Sequence, residues 1–300
     1  MSDLEKTLDT IDANLDASLE RLFTLLKIES ISTDPAYRES CRAAGQYLVD
    51  ALNDIGFDAS LRDTPGHPMV VAHHDGPAGA PHVLFYGHYD VQPVDPIELW
   101  DSPPFEPTMR EVDGAKRFYC RGSSDDKGQL MTFVEACRGW IEATGTLPCK
   151  VTILFEGEEE SGSPSLEPFL EAAAEELKCD MALVCDTSMW DADTPAITTA
   201  LRGMASDEVT IHAADRDLHS GYYGGAAQNP IHILSKILAE LHDDSGTVTL
   251  EGFYDGVEET PDDIKQMWEE LGFSAADFLG SIGLSMPSGE ANRSVLEQTW

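Results

Sequence analysis

His88-Tyr89-Asp90, Asp125-Asp126, Glu158-Glu159-Glu160 and Asp186 are the residues whose types and spacing suit chemistry. Residues i and i+2 of an extended chain point to the same side, so an imidazole at 88 can bind a metal while the carboxylate at 90 fixes its tautomer. Glu159 and Glu160 are adjacent, and a regular strand would send them to opposite faces. Gly157 before them and Ser161-Gly162 after them permit an irregular backbone, so one can bind metal while the other takes a proton from water. Each stretch alone also suits a structural role: Asp125 or Asp126 would serve as N-cap for the helix that follows. Four stretches together are different, because packed carboxylates are too costly unless protons or cations offset them. A histidine with several carboxylates and few plausible thiolates suits Zn²⁺ or another divalent transition metal better than Ca²⁺, and no EF-hand spacing occurs.

These residues need a scaffold that carries them to one edge. Apolar runs at 57–61, 69–72, 83–86, 151–155 and 181–185 read as strands, and the last three lead into His88, the glutamate run and Asp186. Apolar residues at helical spacing predict amphipathic helices at 8–28, 39–55, 128–143 and 165–177. Strands alternating with helices argue for an α/β domain with a mostly parallel sheet, whose ligands gather beyond the carboxyl ends of the strands. The proline-rich stretch 91–120 reads as a long loop covering a site. Near residue 198 the texture changes to two antiparallel strands at 196–201 and 208–212, with helices at 229–242 and 261–271. The expected organisation is a catalytic domain over 1–198 and an α+β lid over 199–300.

Composition bounds the partners. The 300 residues carry 55 Asp plus Glu against 19 Lys plus Arg, a net charge of −36. Such a surface repels phosphate backbones and acidic lipid, which excludes nucleic acid and membrane as expected partners. Most of this acidity reads as a solvated surface. The six cysteines lack CxxC spacing, and the first residues, MSDLEKTLDTIDANLD, carry no apolar stretch of the secretion type. Both point to a cytoplasmic protein with reduced thiols. His67, beside Pro68, and His82, beside Pro81, read as turn residues, and Glu158 as solvated or supporting.

Five motifs in order, YGHYDV (86–91), RGSSDDKG (121–128), EGEEESGS (156–163), the strand-end Asp186 and DLHSGYYGG (217–225), resemble the dinuclear zinc metallopeptidases, closest to their dipeptidase branch. That family includes carnosine dipeptidases, bacterial dipeptidases, acetylornithine deacetylases and glutamate carboxypeptidases. The resemblance implies that His88 and Asp186 hold one zinc, Asp125 bridges both and Glu160 holds the other. Mn²⁺ or Co²⁺ are alternative metals. It further implies that Glu159 is the general base, that Asp90 orients His88, and that His219 reaches across a lid-mediated homodimer to stabilise an oxyanion. Asp at 186 resembles enzymes that require a free amino group, which favours a dipeptidase over an N-acyl amino acid deacylase. The family pattern also has a late histidine ligand for the second zinc, and no histidine follows His242. The expectation is therefore a C-terminally shortened chain, with an inactive metal-binding scaffold as a further alternative.

Overall fold

The computed structural model describes residues 1–112, 114–199 and 201–299. The chain divides into two compact units, Met1–Ala196 and Ile197–Trp300. The first holds a five-stranded sheet. Its strands are β1 (Asp58–Arg62), β2 (Met69–His74), β3 (His82–His88), β6 (Lys150–Glu156) and β7 (Met181–Val184), in the order β1-β2-β6-β3-β7. β2 pairs antiparallel with β1 and β6, whereas β3 pairs parallel with both β6 and β7, so β2 alone runs against the other four. β6 is the central strand, flanked by β2 and β3. Its run Val151–Phe155 is buried throughout, as a strand covered on both faces must be.

Helices α1 (Asp3–Ala13), α2 (Leu15–Leu26), α3 (Arg38–Asp54) and α4 (Lys127–Thr144) belong to the same unit. Leu25, Leu48, Leu52, Leu130 and Val134 are fully buried with Phe85, Ile153 and Phe155 in one core, each such side chain contributing about 1.5–3 kcal/mol. Phe85 of β3 stacks on Phe133 of α4 at 3.9 Å between centroids. This packing fixes the start of α4 against the carboxyl end of β3. The register does the rest: His88 lies level with Glu156, so the histidine and the glutamate turn leave the sheet side by side.

Three expectations are corrected. The helix expected over 8–28 breaks at Asn14, whose side chain bonds to Thr10 O and to Glu142 of α4. The stretch 91–120 is not all loop: β4 (Thr108–Val112) and β5 (Ala115–Tyr119) pair antiparallel, their exposed charged residues having masked the strand pattern. The strands expected at 196–201 and 208–212 are absent among the described residues, and Ile197, Leu201 and Val209 are exposed; Ala200 lies outside the described residues. The second unit is helical, with α6 (Ser220–Tyr223), α7 (Pro230–Glu240), α8 (Asp262–Glu270) and α9 (Ala275–Gly280), while α5 (Leu166–Ala172) belongs to the first. No helix among the described residues is long and apolar enough to cross a membrane.

Candidate active site

His88 closes β3 with its ring wholly buried. Its Nδ1 faces Asp90, 3.1 Å from the backbone oxygen and 3.3 Å from Oδ1, which leaves Nε2 pointing at the carboxylates. Asp125 Oδ1 lies 3.0 Å from Nε2 and Asp186 Oδ2 3.5 Å. Ligand atoms of His88, Asp125 and Asp186 all fall within 4.8 Å of one another, the one such grouping among the described residues. One imidazole nitrogen and two carboxylate oxygens at that spacing fit a divalent cation of the zinc type, with the imidazole's other nitrogen fixed by a carboxylate as such ligands require. Among the described residues no Lys or Arg pairs with any of these carboxylates. The zinc that the resemblance implies therefore fits the donor set present.

The two aspartates of the 125–126 pair do different things. Asp125 is 63% exposed at its side chain and faces His88. Asp126 sits at the N-cap position of α4, yet its side chain bonds to no helix N–H; its buried Oδ2 accepts from the His88 backbone N–H at 2.9 Å. Its Oδ1 is buried with no hydrogen-bond partner, and burial pushes the carboxyl up to about 7. Lys127 turns the other way and donates to Ile28 O at 2.7 Å and Leu25 O at 3.3 Å, tying the start of α4 to the end of α2.

Asp90 joins two strands' ends. Besides facing His88, its Oδ1 accepts from Glu159 N–H at 3.2 Å and its Oδ2 from Glu160 N–H at 3.1 Å. The histidine and the glutamate turn are thus aligned by one fully buried carboxylate. Gly157 makes that approach possible, since a Cβ there would lie 2.4 Å from the Tyr89 hydroxyl. Glu159 Oε2 is 3.9 Å from His88 Nε2. Burial raises its proton affinity and the neighbouring Glu160, Asp186 and Asp90 add to the rise, while His88 opposes it. Burial pulls the His88 pKa down, but Asp90, Asp126 and Glu159 outweigh that, leaving it pushed up to about 10. A cation on Nε2 would stand where that proton sits.

Glu160 is on the same edge but outside the three-residue grouping: Gln92 Nε2 donates to its Oε2 at 2.8 Å. Gln92 was missed in the sequence, although 88, 90 and 92 share one side of an extended chain. Gln129 was also missed; its Oε1 accepts from Thr187 N–H at 3.1 Å and its Nε2 donates to Ser124 O, bridging the Asp125 and Asp186 loops. Of the two readings of Glu158, the supporting one holds and the solvated one does not, while His67 lies in a bend as its place beside Pro68 implies. Both are buried, Glu158 bonding to the His67 N–H, and His67 Nε2 lying 3.1 Å from Ser32 O. His82 lies within β3, 2.7 Å from the Thr152 hydroxyl. His219 belongs to the second unit, where it is exposed and caps α6: its Nδ1 accepts from Gly221 N–H at 3.0 Å, which leaves the proton of a neutral ring on Nε2.

Residues 84–290 match the model of peptidase family M20/M25/M40. A Cys-Gly metallodipeptidase of Candida albicans is 29% identical over 99% of this chain and 64% of its own length. Among solved structures, human carnosine dipeptidase 1 has a TM-score of 0.73 at 25% identity, covering 96% of this chain and 62% of that one. An M20 family metallo-carboxypeptidase from Sulfolobus solfataricus has 0.71 at 31% identity, covering 90% and 60%. The chain thus spans just under two thirds of the length of these relatives. With the metal-ligand grouping at the carboxyl edge of its sheet and the match over residues 84–290, the chain belongs to peptidase family M20/M25/M40.

Proposed function

We propose that this chain carries the catalytic face of a metal-dependent dipeptidase, which hydrolyses the peptide bond of dipeptides or short peptides with a free amino end. The observation that carries the reading is the convergence of His88 Nε2, Asp125 and Asp186 beside Glu159. Relatives named for Cys-Gly and β-Ala-His dipeptides support the substrate class.

His88, Asp125 and Asp186 would hold one zinc ion, and Glu160 with Asp125 would supply ligands to a second. The metal supplies Lewis acidity and lowers the pKa of water from 15.7 to about 7. Glu159 takes the proton of the attacking water and returns it to the leaving amine, and its raised proton affinity suits that exchange. Asp90 holds His88 and the Glu159–Glu160 backbone in mutual register throughout. Asp186 takes the position that favours substrates with a free amino group. His219, with its proton on Nε2, donates to the oxyanion of a partner's site in a homodimer formed through the second unit. The six free cysteines suit a cytoplasmic setting.

The test is hydrolysis by the zinc-loaded chain of a free-amino dipeptide such as Cys-Gly against an N-acetyl amino acid. Cleavage of the dipeptide alone supports the reading, and cleavage of the acetyl compound alone replaces it with a deacylase. Zinc binding with neither activity favours a metal-binding scaffold.

A further inference from the structure

Glu158 is the member of the glutamate run without a chemical task, yet it is only 3% exposed. Its carboxylate bonds to a loop 91 residues away and to the start of the helix that follows. Oε1 accepts from His67 N–H at 2.9 Å, and Oε2 accepts from Ser165 N–H at 3.1 Å. Its backbone oxygen accepts from Ser163 N–H at 2.8 Å, Ser161 N–H at 3.0 Å and the Ser161 hydroxyl at 3.2 Å, closing the turn that contains Glu159 and Glu160. The cradle is shaped for it: a Cβ on Gly66 would sit 1.5 Å from Glu158 Oε1. Asp90 thus holds the turn from the β3 side through the N–H groups of Glu159 and Glu160, and Glu158 holds it from behind. Two opposed carboxylates on one short turn fix both its position and its tilt.

We propose that Glu158 is a positioning residue: it sets the reach of Glu159 towards the bound water by fastening the glutamate turn to the 64–68 loop and to the start of α5. The inference rests on the dipeptidase reading for its catalytic consequence, but the fastening itself can be tested without activity.

Two variants probe it differently. Glu158→Gln replaces an oxygen acceptor with a donor, and Gly66→Ala leaves the carboxylate intact but fills its space. In the metal-free chain, amide hydrogen exchange over 157–166 is expected to quicken in both by about 10- to 100-fold, the scale of a lost hydrogen bond to a charged group. Exchange in β2 and α4 stays unchanged. In the zinc-loaded chain, zinc content holds while kcat falls by a similar factor and KM moves less than about twofold, as expected when an interaction is lost chiefly in the transition state. Unchanged exchange over 157–166 in both variants overturns the fastening. Equal quickening in every element reduces Glu158 to a residue of general stability and overturns the positioning role. So does a quickened turn with unaltered kcat. A wild-type chain that turns over no dipeptide counts against the dipeptidase reading, and the exchange result then decides the fastening by itself.

Discussion

The carboxylates at the carboxyl edge of the sheet and those of the second unit are alike in sequence and unlike in what offsets them. In the second unit, Glu259 is held below its usual range chiefly by its hydrogen bond from Arg293, and Asp243 by the Ser245 hydroxyl and the N–H groups of Thr247 and Ser245. At the sheet edge the direction reverses: burial raises Asp126, Glu156, Glu159 and Glu160, and no Lys or Arg among the described residues pairs with them. A net charge of −36 therefore has two meanings. Solvated carboxylates find local donors, whereas a cluster kept without cationic side chains is arranged for a cation from outside.

The sharpest way to break this contrast is to remove the proton carrier alone. Glu159→Gln keeps the turn and the three-residue ligand grouping, and should lower kcat by about 10²–10⁴-fold with zinc content intact. Full activity in this variant would remove Glu159 from proton transfer. Asp90→Asn comes next. The amide has one acceptor oxygen where the carboxylate has two, so it loses a bond to the Glu159–Glu160 turn or its hold on His88. Zinc affinity should fall about 10- to 100-fold by isothermal titration, as for other carboxylate partners of metal-bound histidines.

The contrast also has a pH signature. Asp126 is raised to about 7 in the fold from an unfolded value near 3.8, so its protonated form favours folding. Its contribution is complete below the unfolded value and is lost as pH rises through about 7. His88, raised to about 10 from 6.5, acts in the same sense at higher pH. The first unit of the metal-free chain should therefore lose thermal stability between about pH 4 and 8, above which Lys127, lowered to about 8 by burial, opposes His88. Glu259 and Asp243 work in the opposite sense, since lowered carboxylates lose their contribution as pH falls. Zinc needs the deprotonated ligands, so the rise in melting temperature on adding zinc should grow from pH 5 to 8, with about 2.7 kcal/mol expected at a hundredfold excess over Kd. A zinc effect that shrinks over that range would contradict the ligand assignment. The smallest expected effect is Glu259→Gln, which breaks an exposed pair with Arg293 and should leave zinc content and turnover unaltered.

What was legible in the sequence follows the range of the forces involved. The strands ending in His88 and the glutamate run were readable because apolar periodicity is local, and the i, i+2 relation of His88 and Asp90 needs only an extended chain. The division of labour between Asp125 and Asp126 was not, because it depends on which carboxylate reaches the His88 N–H, 38 residues away. Whether Glu158 is solvated or supporting stayed open in the sequence because one of its two partners, His67, lies 91 residues away. The β4–β5 pair was missed because exposed charged residues break up the apolar pattern of both strands, and the strands expected near 196–212 have no paired strand among the described residues.

The central claim, that His88, Asp125 and Asp186 form a cation site, is tested most directly by zinc content after dialysis, wild type against His88→Ala. The account predicts retained zinc in the wild type and loss from this grouping in the variant. Equal zinc in both, or none in a folded wild type exposed to excess zinc before dialysis, would contradict it.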